Sequence, residues 1–449
     1  MFFTDITTAV GIVPAGYAMG VASGDFDNDG WIDLFVTGYG GARLLRNDRG
    51  RRLEDVTNAA GVKDTGWSVS ASFFDYDRDG WLDLFVARYV TYVPVRCVLL
   101  SGRADYCGPK SFAAERDRLF HNARGRFEDA SALIAAATAA PGLGVVAVDV
   151  NADGFQDVYV ANDGAGNHLW INEEGRRFRE DGLLAGVALS GSGLAQAGMG
   201  TDAGDVDGDA DFDLIVTNLT GETSTLYVNR QGLFEDRSVA SGVAGPSRPF
   251  TGFGTRLLDY DNDGALDLAA INGGVHLSDA APLPATPRAL GQRKLLLKND
   301  GRGRFADVTA AAGGAFAAVE SSRGLAAGDV DNDGDVDLVV ANNESASRLL
   351  LNAAGSAAPW LGLRLVTRDG RRDALGAIVR VQRRTGPPIV RHVHTDGSYA
   401  SASDPRVLIG LGSTAAVSGV EVRWPDGSIE SFPPPALHAY STLRQGQGR

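Results

Sequence analysis

The sequence predicts an all-β protein in which residues 1–352 form a β-propeller and residues 353–449 a small β-sandwich-like domain. Three observations predict this. An aspartate-rich motif recurs six times; short β-prone runs with Gly, Asp and Asn turns surround each copy; and the charge balance changes sign near residue 353, from a net of −19 before it to +5 after it.

The aspartate motif comes first. Asp25-Phe-Asp27-Asn-Asp29-Gly30-Trp-Ile-Asp33 recurs as Asp75, Asp77, Asp79 and Asp83, as Asp149, Asn151, Asp153 and Asp157, and as Asp205, Asp207, Asp209 and Asp213. Two more copies are Asp259, Asp261, Asp263 and Asp267, and Asp329, Asp331, Asp333 and Asp337. A Gly-rich apolar run precedes each copy and a β-prone run such as Leu84-Phe85-Val86 follows it. Next comes Leu-Leu-x-Asn, as in Leu44-Leu45-Arg46-Asn47, and then Phe-x-Asp, as in Phe127-Glu128-Asp129. Four short strands per repeat make a propeller blade, and no 3.6-residue periodicity supports a helical solenoid. Six blades can be counted. The 74- and 70-residue steps, from Asp75 to Asp149 and from Asp259 to Asp329, leave room for a seventh, degenerate one. Phe3-Thr4-Asp5-Ile6-Thr7 supplies a fourth element alone and Leu349–Asn352 a third without a fourth, so N- and C-terminal strands are expected to close the ring together.

Carboxylates at positions 1, 3, 5 and 9 of a loop that turns at Gly form a cage of hard oxygens suited to Ca²⁺. The plain alternative is a turn capped by its own side chains. Six copies at one point of the repeat favour about six structural calcium ions, since unneutralised carboxylate clusters repel. The third site, with Asn151, and the fourth, with Ala210 at the turn, are expected to be the weakest.

The 449-residue chain is 44% hydrophobic, enough for a large core. Its net charge of −14 argues against nucleic acid as partner. Its most apolar stretch, Ala132–Val148, falls inside a repeat, so no membrane span is expected. Met1 leads straight into repeat sequence without a basic and then apolar leader, which reads as a cytoplasmic chain, a mature form with an added Met, or a misread start.

The repeats resemble the FG-GAP/VCBS family of calcium-binding blades. The tail resembles the ASPIC/UnbV domain through Asp373-Ala374-Leu375-Gly376-Ala377, Gly397-Ser398-Tyr399-Ala400-Ser401, Gly410-Leu411-Gly412 and Trp424-Pro425-Asp426-Gly427. Together they imply a cartilage-acidic-protein-like architecture, usually exported. Relatives of this type also accompany enediyne biosynthetic genes. Tyr106-Cys107-Gly108-Pro109 matches the family's insertion, which implies a Cys97–Cys107 disulfide and an extracellular or periplasmic location; two free thiols are the other reading.

Both long insertions, about 88–117 and 273–293, leave the ring at the face opposite the aspartate loops. They are expected to rim a ligand site lined by Arg88, Tyr89, Asn162, Asp163, Asn218, Asn272 and Asn342, though these residues also suit local turns. His392 and His394 share one face of a strand, with Asp396 and Tyr399 near. No nucleophile elbow, zinc-protease or nucleotide-binding motif occurs in a suitable place. The leading expectation is a non-enzymatic module binding a protein or glycan. The rival is a cofactor-independent cyclase or isomerase acting on a small-molecule biosynthetic intermediate in the propeller channel.

Overall fold

The computed structural model describes residues 4–12, 16–99, 101–276, 287–343, 345–355, 357–413 and 416–449. Six antiparallel sheets follow one another along the chain. The first four-stranded blade comprises Tyr17–Gly24, Asp33–Tyr39, Arg43–Asn47 and Leu53–Asp55. Blades two to five repeat the pattern, starting with the strands Ser68–Phe74, Gly142–Val148, Thr201–Gly204 and Gly252–Leu258. Blade six has three strands, Ser322–Gly328, Asp337–Asn342 and Arg348–Leu350. In every blade the aspartate loop joins strand one to strand two, and the first strands of blades one to six pack in series around a channel.

Apolar alternation builds the contact between blades. Phe35 of blade one packs with Leu84 and Val86 of blade two; Tyr159 and Ala161 of blade three pack with Leu214 and Val216 of blade four; Ala269 and Ile271 of blade five pack with Leu338 and Val340 of blade six. Strand two thus turns one set of alternate residues to each neighbour, and in blades two to five both sets are buried.

The Leu-Leu-x-Asn element adds a polar tie. The Asn229 side chain donates to the Phe212 carbonyl of its own blade at 3.1 Å and to the Val150 carbonyl of the blade before at 2.8 Å. Its Oδ1 accepts from Gly232 N at 2.8 Å. Asn122, Asn172, Asn299 and Asn352 reach back in the same way to Phe26, Tyr76, Val206 and Tyr260. The backbone N–H of each of these asparagines donates to the last aspartate of its own loop, as Asn229 N does to Asp213 Oδ1 at 2.8 Å.

The tail forms two sheets, one of Val407–Gly410, Trp360–Val366 and Tyr440–Arg444, the other of Ile389–His392, Ile378–Arg383, Val417–Arg423 and Ile429–Phe432. Leu363, Val379, Val381 and Val422 fill the space between them, and this core runs on into blades one and two.

Two expectations find no support among the described residues. Among the described residues no fourth strand pairs with Arg348–Leu350, so closure by terminal strands is not seen; Thr4–Ile12 lies instead along blade one, where the Val10 carbonyl accepts from Leu53 N at 2.7 Å. The long steps hold no seventh blade among the described residues either. The insertion after blade two's second strand forms two short ribbons, Val90–Thr91 with Ala113–Ala114 and Cys97–Val98 with Ala104–Asp105, too short to make a blade sheet. Residues 277–286 of the other insertion lie outside the described residues.

Replacing Asn229 by Ala leaves two buried carbonyls and one amide without partners, a loss of about 2–4 kcal/mol. Asn47→Ala, at a half-buried asparagine that donates only to its own blade's Ile32 carbonyl, is expected to cost about 1 kcal/mol. Urea unfolding of both variants checks this, and equal losses would disprove the tie between blades.

Candidate metal loops, channel plug and ligand face

The six loops share one wrapped backbone. Position 6 adopts a left-handed conformation, at Gly30, Gly80, Gly154, Gly264 and Gly334, and at Ala210 with φ 78°. Its N–H donates to the position-1 carboxylate in every loop, for example Gly30 to Asp25 at 2.8 Å and Ala210 to Asp205 at 3.0 Å. The position-9 aspartate accepts from the amide of position 2 and from the third-strand asparagine, as Asp267 does from Tyr260 N and Asn299 N.

These turns leave oxygens without partners. Asp75 Oδ1, Asp149 Oδ1, Asp207 Oδ1 and Asp261 Oδ1 are buried and accept no hydrogen bond. In loops one, two and five, carboxylate oxygens of positions 1, 3 and 5 lie within 4.8 Å of one another; in loop four those of Asp205, Asp207 and Asp213 do. Burial pushes Asp33 and Asp267 up to about 8, Asp75 and Asp259 to about 7, and Asp25, Asp83 and Asp209 to about 6. Clustered oxygens that are buried, unpartnered and reluctant to ionise are what a hard divalent cation satisfies.

Protein cations also reach these carboxylates. Arg230 pairs with Asp207 and Asp209, Lys298 with Asp261 and Asp263, and His121 lies 3.2 Å from Asp83 and 3.5 Å from Asp77. The tail docks on this loop face. The buried Arg372 guanidinium lies in the field of Asp25 and Asp75, Arg391 in that of Asp205 and Asp259, and Arg423 pairs with Asp149. At the sixth loop the Tyr440 hydroxyl donates to Asp329 Oδ2 at 3.0 Å and Arg406 to the Asp329 carbonyl at 2.7 Å. Every position-1 aspartate therefore faces a donor or cation of the tail.

Sequence reasoning missed the occupant of the channel. Between the strands Ile389–His392 and Val407–Gly410 the tail sends a segment through the ring that meets all six blades. Thr395 donates to the Ser23 carbonyl, and Asp396 accepts from the Ser72 hydroxyl and from Ala147 N. Gly397 N donates to the Val145 carbonyl, Ser398 pairs with Thr201 in both directions, and Asp404 N donates to the Ala327 carbonyl. From blade five, Arg256 donates to the Asp396 carbonyl at 2.9 Å and pairs with the buried Asp202 at 3.3 Å. Glycines make room: a Cβ on Gly20 would fall 2.5 Å from that of Ala400, and one on Gly144 would clash with the Met199 carbonyl oxygen and lie 3.3 Å from that of Ser398. The sequence signals were polar residues such as Ser70, Ser72 and Asp202 in apolar first strands, and the Gly-Ser-Tyr-Ala-Ser motif.

His392 and His394 stack at 3.8 Å beside this plug, inside the protein and away from solvent. His394 Nδ1 lies 3.0 Å from Asp396 Oδ1, and its Nε2 lies 3.0 Å from Arg256. Burial holds both imidazoles well below the usual histidine range.

At the far mouth the plug ends on Tyr399, packed edge-on against Phe253 at 4.9 Å. The two insertions meet above it, His276 Nδ1 lying 3.1 Å from Asp105 Oδ2, and Cys97 and Cys107 form a disulfide. Tyr39, Trp67 and Tyr92 stack edge to face beside this arch, and Tyr92 packs on Phe112. Of the residues expected here, Tyr89 donates to Asp163 at 2.7 Å, and Arg88 pairs with Asp64 and Glu115. Asn162, Asn218 and Asn342 donate within their own turns, to the carbonyls of Gly166, Thr223 and Ala346, and Asn272 donates across the base of the second insertion to the Arg293 carbonyl.

The FG-GAP-like repeat model matches residues 3–86 and 149–216, and the ASPIC and UnbV model matches residues 367–449. The chain combines FG-GAP-like repeats with a C-terminal ASPIC and UnbV domain. Human cartilage acidic protein 1 is 24% identical over 500 residues, covering 96% of this chain and 73% of the human protein; the mouse protein is 24% identical over 498 residues, covering 96% and 74%. Among solved structures, an Agrocybe aegerita lectin that recognises non-reducing terminal N-acetylglucosamine aligns at TM-score 0.41 and 14% identity, over 75% of this chain and 80% of the lectin. Trypanosoma rangeli sialidase aligns at 0.39 and 13%, over 76% and 55%. The FG-GAP-like repeats fold as propeller blades, and the ASPIC and UnbV domain caps their loop face and fills their channel.

Two outcomes test this geometry. Ala210→Gly removes the cost of a left-handed alanine and is expected to stabilise the protein by about 0.5–1 kcal/mol in calcium-free urea titrations; a loss would refute the turn geometry. The histidine pair binds fewer protons folded than unfolded, so its contribution is present above about pH 6.5 and is lost as pH falls. Lowering the pH from 7 to 5 in calcium should therefore cost the protein about 1–2 kcal/mol more than it costs His392→Phe, and parallel pH slopes would show that this imidazole stays silent.

Proposed function

We propose that the protein is a calcium-stabilised binding module that takes a protein or glycan ligand on the face opposite its aspartate loops. The observation that carries the ligand face is the arch at the far channel mouth. Two insertions from opposite blades meet there over Tyr399, and a row of edge-to-face aromatic rings leaves Tyr39 and Tyr92 exposed. Aromatic faces beside fixed polar groups such as Tyr89–Asp163 suit sugar rings and peptide side chains alike. Residues 395–404 run through the channel, which favours this reading over a channel pocket for a biosynthetic enzyme.

Calcium is supported by the buried unpartnered loop oxygens and by the burial that makes these carboxylates resist ionisation. Bound Ca²⁺ supplies two positive charges and accepts six to eight oxygens; positions 1, 3, 5 and 9 would hold it. The ions would be structural, their affinity adding to stability. A disulfide-closed insertion fits an extracellular location, and no helix among the described residues is long and apolar enough to cross a membrane.

A thermal melt in millimolar calcium is expected to lie at least about 10 °C above one in chelator, and metal analysis should find about six ions per chain; coincident melts with no bound metal would sink the calcium reading. On glycan and protein arrays, Tyr92→Ser should lose at least about tenfold of the bound signal at an unchanged melting temperature, whereas full retention would move the ligand site off this face.

A further inference from the structure

In three blades the residue just before the third-strand asparagine reaches the aspartate loop. Arg46 lies in the field of Asp27, Lys298 pairs with Asp261 and Asp263, and His121 approaches Asp77 and Asp83. Blades three, four and six carry Ile171, Val228 and Leu351 there. A guanidinium or an ammonium can only neutralise such a loop, since neither has a lone pair to give. An imidazole has one as soon as its proton leaves for solvent. Loop two therefore differs from the rest in chemistry as well as in charge.

The geometry around His121 is that of a ligand set. Its Nδ1 is buried and makes no hydrogen bond. That nitrogen lies 3.2 Å from Asp83 Oδ1 and 3.5 Å from Asp77 Oδ2, and the three residues bring one ligand atom each within 4.8 Å of one another. Two ligands about 2.0–2.1 Å from a shared zinc ion at tetrahedral angles stand about 3.3–3.4 Å apart. Both carboxylates can take part. Asp77 Oδ1 accepts from Asp79 N, which leaves Oδ2 for a cation. Asp83 Oδ1 accepts from Asn122 N at 2.7 Å and keeps a second lone pair. Asp75 is a separate observation. It is 5% exposed, its Oδ1 is buried without a partner, and it forms a second trio with Asp77 and Asp79. A need for hard oxygens accounts for that trio, but not for a nitrogen turned into the same loop.

We infer that loop two is a mixed nitrogen and oxygen site for a divalent cation of the zinc class, held by His121 Nδ1, Asp77, Asp83 and Asp75. Calcium takes oxygen ligands, whereas an imidazole beside carboxylates suits zinc and its first-row neighbours. The equivalent positions of the other five loops offer no nitrogen that ligates a metal near neutral pH. As the metal arrives, the proton on Nδ1 goes to solvent and the freed electron pair forms the metal–nitrogen bond. The inference builds on the reading of the loops as cation sites and changes the identity of one ion.

Zinc bound per chain is counted after equilibration of the full chain with micromolar zinc, in calcium-free buffer and again in millimolar calcium. One equivalent is expected in both. His121→Gln should weaken zinc at least about 100-fold and leave the melting temperature in calcium unchanged. Cobalt(II) in place of zinc should show a visible absorption band that the same substitution abolishes. If His121→Gln has no melting transition, Lys298→His carries the test, since it sets an imidazole against Asp261 and Asp263; a second zinc equivalent is expected, and a single one overturns the inference. Equal zinc in His121→Gln and the native chain also overturns it. So does zinc that millimolar calcium displaces, which makes loop two a calcium loop like the others, and so does a chain without zinc in either buffer, which leaves His121 as an ion-pair partner of Asp83. A calcium-dependent melt without zinc binding sinks this inference alone, whereas coincident melts with zinc bound sink the calcium reading alone.

Discussion

The last aspartate of each loop holds its blade together. Its two oxygens accept one amide from the start of the loop and one from the third strand, so a single buried carboxylate fixes the angle at which strands one, two and three leave the loop. The third-strand asparagine whose amide it accepts then uses its side chain to grip the previous blade. A repeat that must be joined to its neighbours by short, exposed connections gains from this chain of bonds a fixed spacing that apolar contact alone, which has no direction, cannot set. The buried aspartate is costly to ionise, and the neighbouring carboxylates raise that cost. A propeller of this kind therefore needs positive charge at one face.

That charge comes from two directions. Arg230, Lys298 and His121 approach the loops from within the ring, and Arg372, Arg391, Arg406 and Arg423 come from the tail. The opposite net charges of the two parts are thus spatial complements, with the tail acting as counterion as well as cap. The tail's donors reach the position-1 aspartates of these clusters, so the seating of the tail and the charge state of the loops are linked through them.

Much of this was legible in the residues. The nine-residue motif located all six blades because a turn with two left-handed positions needs a fixed pattern of Gly, Asn and Asp. The β-prone runs fixed the strands, and the sign of the charge marked the tail. Asn229 and its equivalents were visible as a pattern, but their function was not, because their partners lie 79 or more residues away in a neighbouring blade. The plug was invisible for the same reason. Gly20 and Gly144 read as strand glycines until the tail backbone is seen lying against them. His392 and His394 alternate as a solvent-facing strand does, and only the channel around them makes them interior. Of the four asparagines expected at the ligand face, Asn162, Asn218 and Asn342 donate within turns, since the exit of a strand selects asparagine for its own backbone geometry.

The plug has a consequence for how the molecule comes into being. The ring's inner strands carry Ser70, Ser72 and Thr201, which pair with Ala400, Asp396 and Ser398, in a stretch made after all six blades. During vectorial synthesis the blades can form their sheets one by one, but their inner polar groups stay hydrated until the last quarter of the chain arrives. Final consolidation is then a late, all-at-once event spanning both domains. A nascent chain stalled short of residue 400 would be a ring of preformed sheets around a wet centre, open to proteases and chaperones.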